Sequence, residues 1–246
     1  MKENLRTHIV AVGYDSTRVT EPLIQRKADK VYFLRYKEDG EKSPYYDYII
    51  KELDEKAKHI EIIPYFLDLW DLYECIAKYR EIIQNENEKQ NHVYVNISTG
   101  SKVVSIAGML ACMLWGATPY YVHVVYPSPK ELKKIPTMKI KKIDDLPVYD
   151  INKPPPTHLK ILKVLNENKK KMRKSDLINT LVTDGIISPK EPRGSIFTIH
   201  AKHSQLRAIL SPMERDWNFI EIFTHGKQSD VILTEQGEKA MKIFGE

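Results

Sequence analysis

Short apolar segments alternate with helical patterns along the first 125 residues, and this alternation constrains the fold more than any other feature of the chain. The apolar segments are rich in β-branched and aromatic residues and have no polar face, which is typical of strands buried on both sides of a sheet. The segments between them repeat apolar residues every three or four positions, as amphipathic helices do. Strands are predicted at residues 8–13, 31–36, 60–67, 92–98 and 118–125. The sequence therefore predicts an α/β fold with a Rossmann-like, doubly wound, mostly parallel sheet.

Single residues refine this prediction. The third predicted strand contains Pro64, which lacks the N–H that a central strand donates, so we expect this strand at an edge of the sheet. Residues 139–143 have the composition of one further strand. Cys75 and Cys112 lie in predicted helices among apolar neighbours, outside any CxxC pair or Cys/His cluster. Both cysteines are expected to pack in the core, and neither a disulfide nor a metal site is expected.

Prolines are concentrated between residues 126 and 156. The run Pro154, Pro155 and Pro156 favours a stiff, extended linker. The sequence predicts the domain boundary here, with a Rossmann-like domain at residues 1–150 and a second, smaller domain at residues 151–246.

The pattern after the linker is first helical and then hairpin-like. Thr157 and Ser175 are placed to cap helices at residues 158–166 and 176–183, and a third helix is predicted at residues 200–216, with a kink or break at Pro212. Two strands and a final helix are predicted at residues 219–224, 230–234 and 235–244. Three helices, a two-stranded wing and a terminal helix form the pattern of a small α+β winged helix-turn-helix domain.

The charge of the chain is unevenly distributed. The net charge is +5, and residues 157–246 carry 15 basic and 11 acidic side chains, which is a net of +4. This excess favours a polyanionic partner for the second domain, such as double-stranded DNA. No apolar stretch approaches the roughly eighteen residues of a membrane span, and the first residues do not form a secretory signal, so we expect a cytoplasmic protein.

Two polar segments follow predicted strands of the first domain. The first comprises Gly13, Tyr14, Asp15, Ser16, Thr17 and Arg18, and the second comprises Asn96, Ile97, Ser98, Thr99, Gly100, Ser101 and Lys102. Ligands of doubly wound sheets bind beyond the carboxyl ends of the strands, where backbone amides and helix N-termini favour anions. The first segment lacks the three spaced glycines of a dinucleotide fingerprint, and the second is not a Walker loop. The segments predict a phosphate-binding site without an NAD cofactor.

These segments resemble the two ligand loops of the CARF family, the CRISPR-associated Rossmann-fold sensors, and several archaeal members also carry a C-terminal winged helix domain. The resemblance implies a homodimer with a cyclic oligoadenylate, expected to be cyclic tetra-adenylate, in a pocket that spans the two subunits. It places residues 13–18 and 96–102 in that pocket. Many relatives have a second glycine where this chain has Ser101. The predicted function is a ligand-regulated DNA-binding transcriptional regulator.

Side chains of the second domain are predicted to contact DNA. They lie at the start of the second helix, at the start of the third and at the tip of the wing: Lys174, Ser175, Lys202, His203, Ser204, Gln205, Arg207 and Lys227. Glutamine and arginine suit base edges, whereas serine and lysine suit phosphates.

Two enzymatic alternatives remain open at this point. Some CARF proteins carry a helical ribonuclease domain with a spaced arginine and histidine, and Arg193 and His200 match that spacing. Some CARF pockets cleave their own cyclic ligand without metal, in which case Lys102 would stabilise negative charge and Ser98, Thr99 or Ser101 would orient a ribose hydroxyl.

Overall fold

The chain divides into two compact units, Met1–Asn152 and Lys153–Glu246. The structure, a computed structural model, describes residues 4–39, 43–125, 138–187, 195–226 and 228–245. Within these ranges no helix combines the length and the apolar character needed to cross a membrane.

The N-terminal unit is built on a six-stranded sheet in the order β3-β2-β1-β4-β5-β6. The first five strands in this order are parallel, and β6 runs antiparallel to β5. The order steps from β1 to β4 in the middle of the sheet, so the switch point lies between these two strands. The strands are β1 (Arg6–Ala11), β2 (Lys30–Tyr36), β3 (Glu61–Leu67), β4 (His92–Asn96), β5 (Thr118–Val125) and β6 (Lys139–Asp145). The predicted Rossmann-like sheet is confirmed.

Four helices connect the parallel strands: α1 (Thr17–Gln25), α2 (Pro44–Lys56), α3 (Leu72–Glu88) and α4 (Lys102–Trp115). On one face of the sheet, Val10 and Phe33 pack with α1 and α2. On the other face Tyr79 of α3 packs against Gly108 of α4, where a Cβ would lie 3.2 Å from the tyrosine ring. Successive strand residues point to opposite faces, so the nearly continuous apolar runs follow from covering both sides.

The edge position predicted from Pro64 is confirmed, because β3 pairs only with β2. A proline is tolerated there, since an edge strand needs backbone donors on one side only. The strand predicted at residues 139–143 is present and continues to Asp145. Cys75 and Cys112 are both buried, as their apolar neighbours predicted.

The C-terminal unit is a winged helix domain. Its elements are α5 (Pro156–Glu167), β7 (Lys171–Arg173), α6 (Lys174–Thr183), α7 (Ser195–Arg215), β8 (Ile220–His225), β9 (Gln228–Leu233) and α8 (Glu235–Phe244). The strands form an antiparallel sheet in the order β7-β9-β8. Leu162, Leu177, Leu206 and Val231 lie in a core shared by the helices and the sheet. The architecture predicted from the pattern is confirmed, with β7 as an additional strand.

Two predicted helix caps and the break offered as one outcome at Pro212 are wrong in this unit. Thr157 does not cap α5, because the helix begins one residue earlier at Pro156, whose fixed φ suits the first helical position. Ser175 lies inside α6 rather than at its cap. The third helix runs through Pro212 to Arg215 without a break. A proline in the last turn removes only one intrahelical hydrogen bond, and the buried side chains of Leu210 and Met213 on either side hold that turn in place.

Candidate functional site

Two loops of the N-terminal unit meet at the switch point of the sheet. A Cβ atom on Gly13, in the loop after β1, would lie 3.0 Å from the backbone nitrogen of Gly100, in the loop after β4. Gly100 has a φ of +79°, and a Cβ there would lie 2.6 Å from Val104 Cγ1 and 2.8 Å from Ala11 Cβ. Only glycine allows this backbone conformation and this contact without strain, so the two glycines bring the loops together.

A cavity of about 690 Å³ lies at this junction. Its walls come from the loops after β1, β2, β3 and β4, which all end at the same edge of the parallel sheet. The lining residues are Val12, Gly13, Tyr14, Asp15, Arg18, Tyr36, Ser43, Pro44, Tyr45, Leu69, Trp70, Ser98, Thr99, Gly100 and Ser101. Since α1, α2, α3 and α4 start at this edge, the positive ends of their dipoles face the region of the cavity.

Eight of the twelve predicted ligand-binding residues line the cavity: Gly13, Tyr14, Asp15, Arg18, Ser98, Thr99, Gly100 and Ser101. The other four lie elsewhere. Ser16, Thr17 and Asn96 are buried behind the wall, and Thr17 Oγ1 accepts a hydrogen bond of 2.8 Å from the N–H of Met138. Lys102 is exposed at the first turn of α4 and does not line the cavity.

Arg18 pairs with Asp15 of its own loop and also reaches the loop after β4. Asp15 Oδ1 accepts hydrogen bonds from the N–H groups of Thr17 at 3.1 Å and Arg18 at 3.4 Å, and Oδ2 lies 3.2 Å from Arg18 Nε. Arg18 also donates to the carbonyl oxygen of Ser98 at 3.2 Å. Burial raises the pKa of Asp15, and the hydrogen bond and charge of Arg18 oppose that rise. Among the lining residues, Asp15 and Arg18 are the ones that carry charge, and they largely neutralise each other.

Asn96 and Ser98 support the loops with their side chains. Asn96 Nδ2 donates to the carbonyl oxygen of Arg18 at 2.7 Å, and its Oδ1 accepts from the N–H of Ser98 at 3.0 Å and from the Ser98 hydroxyl. The same hydroxyl accepts from the N–H of Val122 at 3.1 Å. The Ser98 hydroxyl is thus engaged as donor and acceptor within the protein.

The Ser101 hydroxyl is engaged within the protein like that of Ser98, whereas the Thr99 hydroxyl is not. Ser101 Oγ accepts from the N–H of Val104 at 3.2 Å as the cap of α4, and donates to the carbonyl oxygen of Leu69 at 3.1 Å. Thr99 is 5% exposed, lines the cavity, and its Oγ1 has no hydrogen-bond partner within the described parts of the chain. A buried hydroxyl without a partner costs about 1–3 kcal/mol, so such groups are rare in folded proteins. Among the hydroxyls of Ser98, Thr99 and Ser101, that of Thr99 is therefore the one that the described protein leaves without a hydrogen bond.

The sequence prediction missed the walls contributed by the loops after β2 and β3. Ser43, Tyr45 and Trp70 line the cavity from these loops. The sequence did contain an indication of these walls, because these residues also lie between a strand of the parallel sheet and the next helix or in the first turn of that helix. It was weak, because the segment after β3 has neither glycine nor lysine, and Gly40 and Lys42 after β2 stand among the acidic residues Glu38, Asp39 and Glu41.

Metal ligands do not cluster in the described ranges, where no group of three or more histidine, cysteine, aspartate or glutamate side chains is placed to hold an ion. The wall of the cavity presents hydroxyl, backbone and aromatic groups to a ligand.

The predicted DNA-binding residues of the winged helix domain lie at two helices. Ser175 is exposed and Lys174 half-buried at the start of α6. On α7, His203, Ser204 and Arg207 are exposed, while Lys202 and Gln205 are half-buried. Lys227, Arg193 and the side chain of His200 lie outside the described part of the structure.

The fold and the cavity define the class of the protein: a Rossmann-like domain followed by a winged helix domain. Residues 6–126 match the family described as HFX_2341_N:-like, N-terminal. Residues 157–245 match the family described as the DUF6293 C-terminal winged helix domain.

An uncharacterized protein of Methanocaldococcus jannaschii is 34% identical over an alignment of 125 residues, and the alignment covers 47% of this chain and 37% of the relative. The match thus spans little more than a third of that protein.

Two solved structures share part of the architecture. Csm6 of Enterococcus italicus, bound to cyclic hexa-2'-fluoro-hexa-dAMP, is 6% identical with a TM-score of 0.42, covering 87% of this chain and 56% of that chain. Can2 of Sulfobacillus thermosulfidooxidans, in complex with cyclic tetra-adenylate, is 12% identical with a TM-score of 0.40, covering 98% of this chain and 64% of that chain. At these scores the likeness carries no argument about function.

Proposed function

We propose that this protein is a ligand-regulated DNA-binding transcriptional regulator, whose Rossmann-like domain binds a cyclic oligoadenylate and whose winged helix domain binds double-stranded DNA. The observation that carries the proposal is the buried, unpartnered hydroxyl of Thr99 in a cavity of about 690 Å³ at the switch point of the sheet. An unsatisfied hydroxyl on a residue that lines a cavity favours a polar ligand there, and the switch point is where doubly wound sheets bind nucleotides.

The chemistry of the wall suits a phosphodiester. The loop after β4 supplies the Thr99 hydroxyl and the closely approaching backbone of Gly100, and α4 begins at the next residues. A helix N-terminus and backbone N–H groups favour a phosphate oxygen. Arg18 lies in the same wall, where Asp15 largely balances its charge, and Lys102, to which the sequence assigned the positive charge, does not line the cavity.

A second copy of the chain would complete the site. A cyclic oligonucleotide with twofold symmetry matches two copies of one cavity related by a twofold axis. The helix α4, which starts at the cavity, has no charged residue after Lys102. Ile106 on this helix is 54% exposed, and Met109, Leu110 and Met113 are partly exposed at helical spacing from it. An apolar face with one exposed and three partly exposed side chains favours association, so we assign it to the homodimer interface.

The DNA-binding surface is assigned to α7. Its side chains His203, Ser204 and Arg207 are exposed, whereas Leu206 and Leu210 of the same helix are buried in the domain core. In helix-turn-helix domains the second helix of the motif enters the major groove. The helix α7 follows α6 in the chain and presents donors for base edges and phosphates.

The test is calorimetric titration of the full chain with cyclic di-, tri-, tetra- and hexa-adenylate. We expect one ring size, tetra-adenylate, to bind at one ring per two chains. Thr99→Val should weaken that binding about tenfold, because it removes one hydrogen bond to the ligand. Thr99→Ser keeps the hydroxyl and is the matched control.

A stability measurement separates binding from folding. Because the hydroxyl makes no hydrogen bond in the free protein, Thr99→Val should leave the free energy of unfolding unchanged or raise it by up to about 1 kcal/mol. Failure of all four rings to bind the wild-type chain would contradict the proposal, and so would equal affinity of Thr99→Val and wild type.

The two enzymatic alternatives receive no support from this geometry. For ring cleavage, the Ser98 and Ser101 hydroxyls are engaged within the protein, and Lys102, which was expected to stabilise the negative charge beside one of the three hydroxyls, does not line the cavity. The ribonuclease alternative requires an entirely helical domain, whereas the C-terminal unit contains a three-stranded sheet.

A further inference from the structure

Two exposed aromatic side chains line the cavity. Tyr14 is 74% exposed and Trp70 is 64% exposed. An aromatic side chain left in water gives up the free energy that burial of its large apolar surface would supply. Two such residues on the wall of one cavity therefore indicate a flat, apolar binding partner.

These aromatic residues come from both faces of the sheet. Tyr14 follows β1, and Tyr45 lies in the first turn of α2, so both belong to the face covered by α1 and α2. Their rings meet edge to face, with centroids 4.9 Å apart and planes at 82°. Trp70 precedes α3, and the neighbouring carbonyl of Leu69 is held by Ser101 at the start of α4. The cavity thus has aromatic groups on two walls.

The charge of the cavity is low. Asp15 and Arg18 are the charged lining residues, and they form an ion pair. A nucleoside triphosphate brings three to four negative charges with one base, and among the lining residues that the structure describes no cation is left over to balance them. Cyclic tetra-adenylate also carries four negative charges, but it spreads them around a ring and presents four bases, so each charge comes with one base to stack.

We infer that Tyr14, Tyr45 and Trp70 stack on nucleobases, and that the site selects base-rich phosphodiesters over nucleoside polyphosphates. The inference rests on the proposed function, since it names how the same cavity recognises its ligand. Stacking tolerates any base, so the number of bases presented at once, rather than base-edge hydrogen bonds, determines affinity.

The test is titration of the full chain with cyclic tetra-adenylate, linear tetra-adenylate and ATP. Trp70→Ala and Tyr14→Ala should each lower the affinity for cyclic tetra-adenylate at least about fivefold, because losing one aromatic platform costs that much per base. Trp70→Phe and Tyr14→Phe keep a ring and should stay within about threefold of wild type. Both positions are exposed, so the alanine variants should fold normally, and a thermal melt of each checks this.

Tryptophan fluorescence gives an independent readout. The chain has three tryptophans, Trp70, Trp115 and Trp217. A base that stacks on Trp70 should quench its emission, and the quenching should vanish in Trp70→Phe although this variant still binds.

The outcomes separate this inference from the proposed function. If linear but not cyclic tetra-adenylate binds and quenches Trp70, the proposed ligand is wrong and the stacking inference stands. If wild type binds cyclic tetra-adenylate and both alanine variants bind within twofold of it, the stacking inference is overturned and the proposed function stands. Tighter binding of ATP than of either tetra-adenylate overturns the inference, and absence of binding by all three probes overturns both.

Discussion

Glu86 shows how this fold treats a buried charge that is not part of the cavity. Its side chain is fully buried and accepts hydrogen bonds from Tyr32 at 2.9 Å, Lys89 at 2.9 Å, Asn91 at 2.7 Å and Thr7 at 3.0 Å. Burial alone would raise its pKa, but these hydrogen bonds outweigh burial and lower the pKa from 4.5 to about 2. The carboxylate is therefore satisfied within the protein, in contrast to the Thr99 hydroxyl.

Replacing Glu86 tests this assignment. Glu86→Gln should lower the free energy of unfolding at pH 7 by about 1–3 kcal/mol, because one acceptor oxygen and the charge are lost while the donors stay buried. A carboxyl whose pKa is depressed on folding stabilises the protein above pH 4.5 and loses this effect as pH falls towards 2. The difference between variant and wild type should shrink over that window.

Urea unfolding at pH 7 and pH 3 measures both values. A difference that stays constant between these two pH values would contradict the assigned role of the carboxylate. His8 is present in both proteins, so its own titration, with a pKa lowered to about 3 by burial and by nearby arginines, cancels in the comparison.

At the scale of elements, α7 is the helix on which the proposed DNA contact depends. Arg207 is exposed on it, next to the buried Leu206. Arg207→Ala should weaken DNA binding by about 1–3 kcal/mol. If Arg207 contacts a phosphate, about one counterion fewer should be released on binding, so the slope of log K against log salt concentration should become shallower by about one.

Electrophoretic mobility shift at several salt concentrations measures this effect. Lys242→Ala on α8 is the matched control, because this lysine is also exposed but lies on another helix. Equal losses in the two variants would mean that net charge, rather than α7, determines DNA binding.

The elements were also the level at which the sequence was most informative. Strand β5 and helix α8 were predicted with their observed ends, because in each the spacing of apolar residues continues without interruption from one end to the other. The three-residue strand β7 was missed, since Lys171 and Arg173 read as a basic loop and pair with β9 only through tertiary structure. Helix starts were missed where Pro156 and Lys174 begin a helix without a side-chain cap.

The site was predictable only in part for a related reason. The loops after β1 and β4 were predicted because they contain Gly13 and Gly100, and the close contact between these two residues requires glycine. Which hydroxyl faces the ligand depends on partners distant in sequence: Val122 engages Ser98, and Leu69 engages Ser101. No local pattern shows that Thr99 alone of these three is left unpartnered.

At the scale of the whole molecule, the proposal requires the two units to be coupled. Two sites influence each other when ligand binding changes the affinity of the second site, and the effect is reciprocal. A cyclic ligand that binds two chains can change the relation of two winged helix domains, and thereby their fit to two DNA half-sites. We predict how much the ligand changes the affinity for DNA, and not whether it strengthens or weakens DNA binding.

The direct test is the DNA affinity of the full chain with and without saturating cyclic tetra-adenylate, on a duplex that the wild-type protein selects from a random library. We predict that the ligand changes the Kd for DNA at least about fivefold, and that DNA changes the Kd for the ligand by the same factor. At a ligand concentration that just saturates wild type, the Kd of Thr99→Val for DNA should change less, because this variant binds the ligand more weakly. An unaltered Kd for DNA while cyclic tetra-adenylate is bound would contradict ligand-regulated DNA binding.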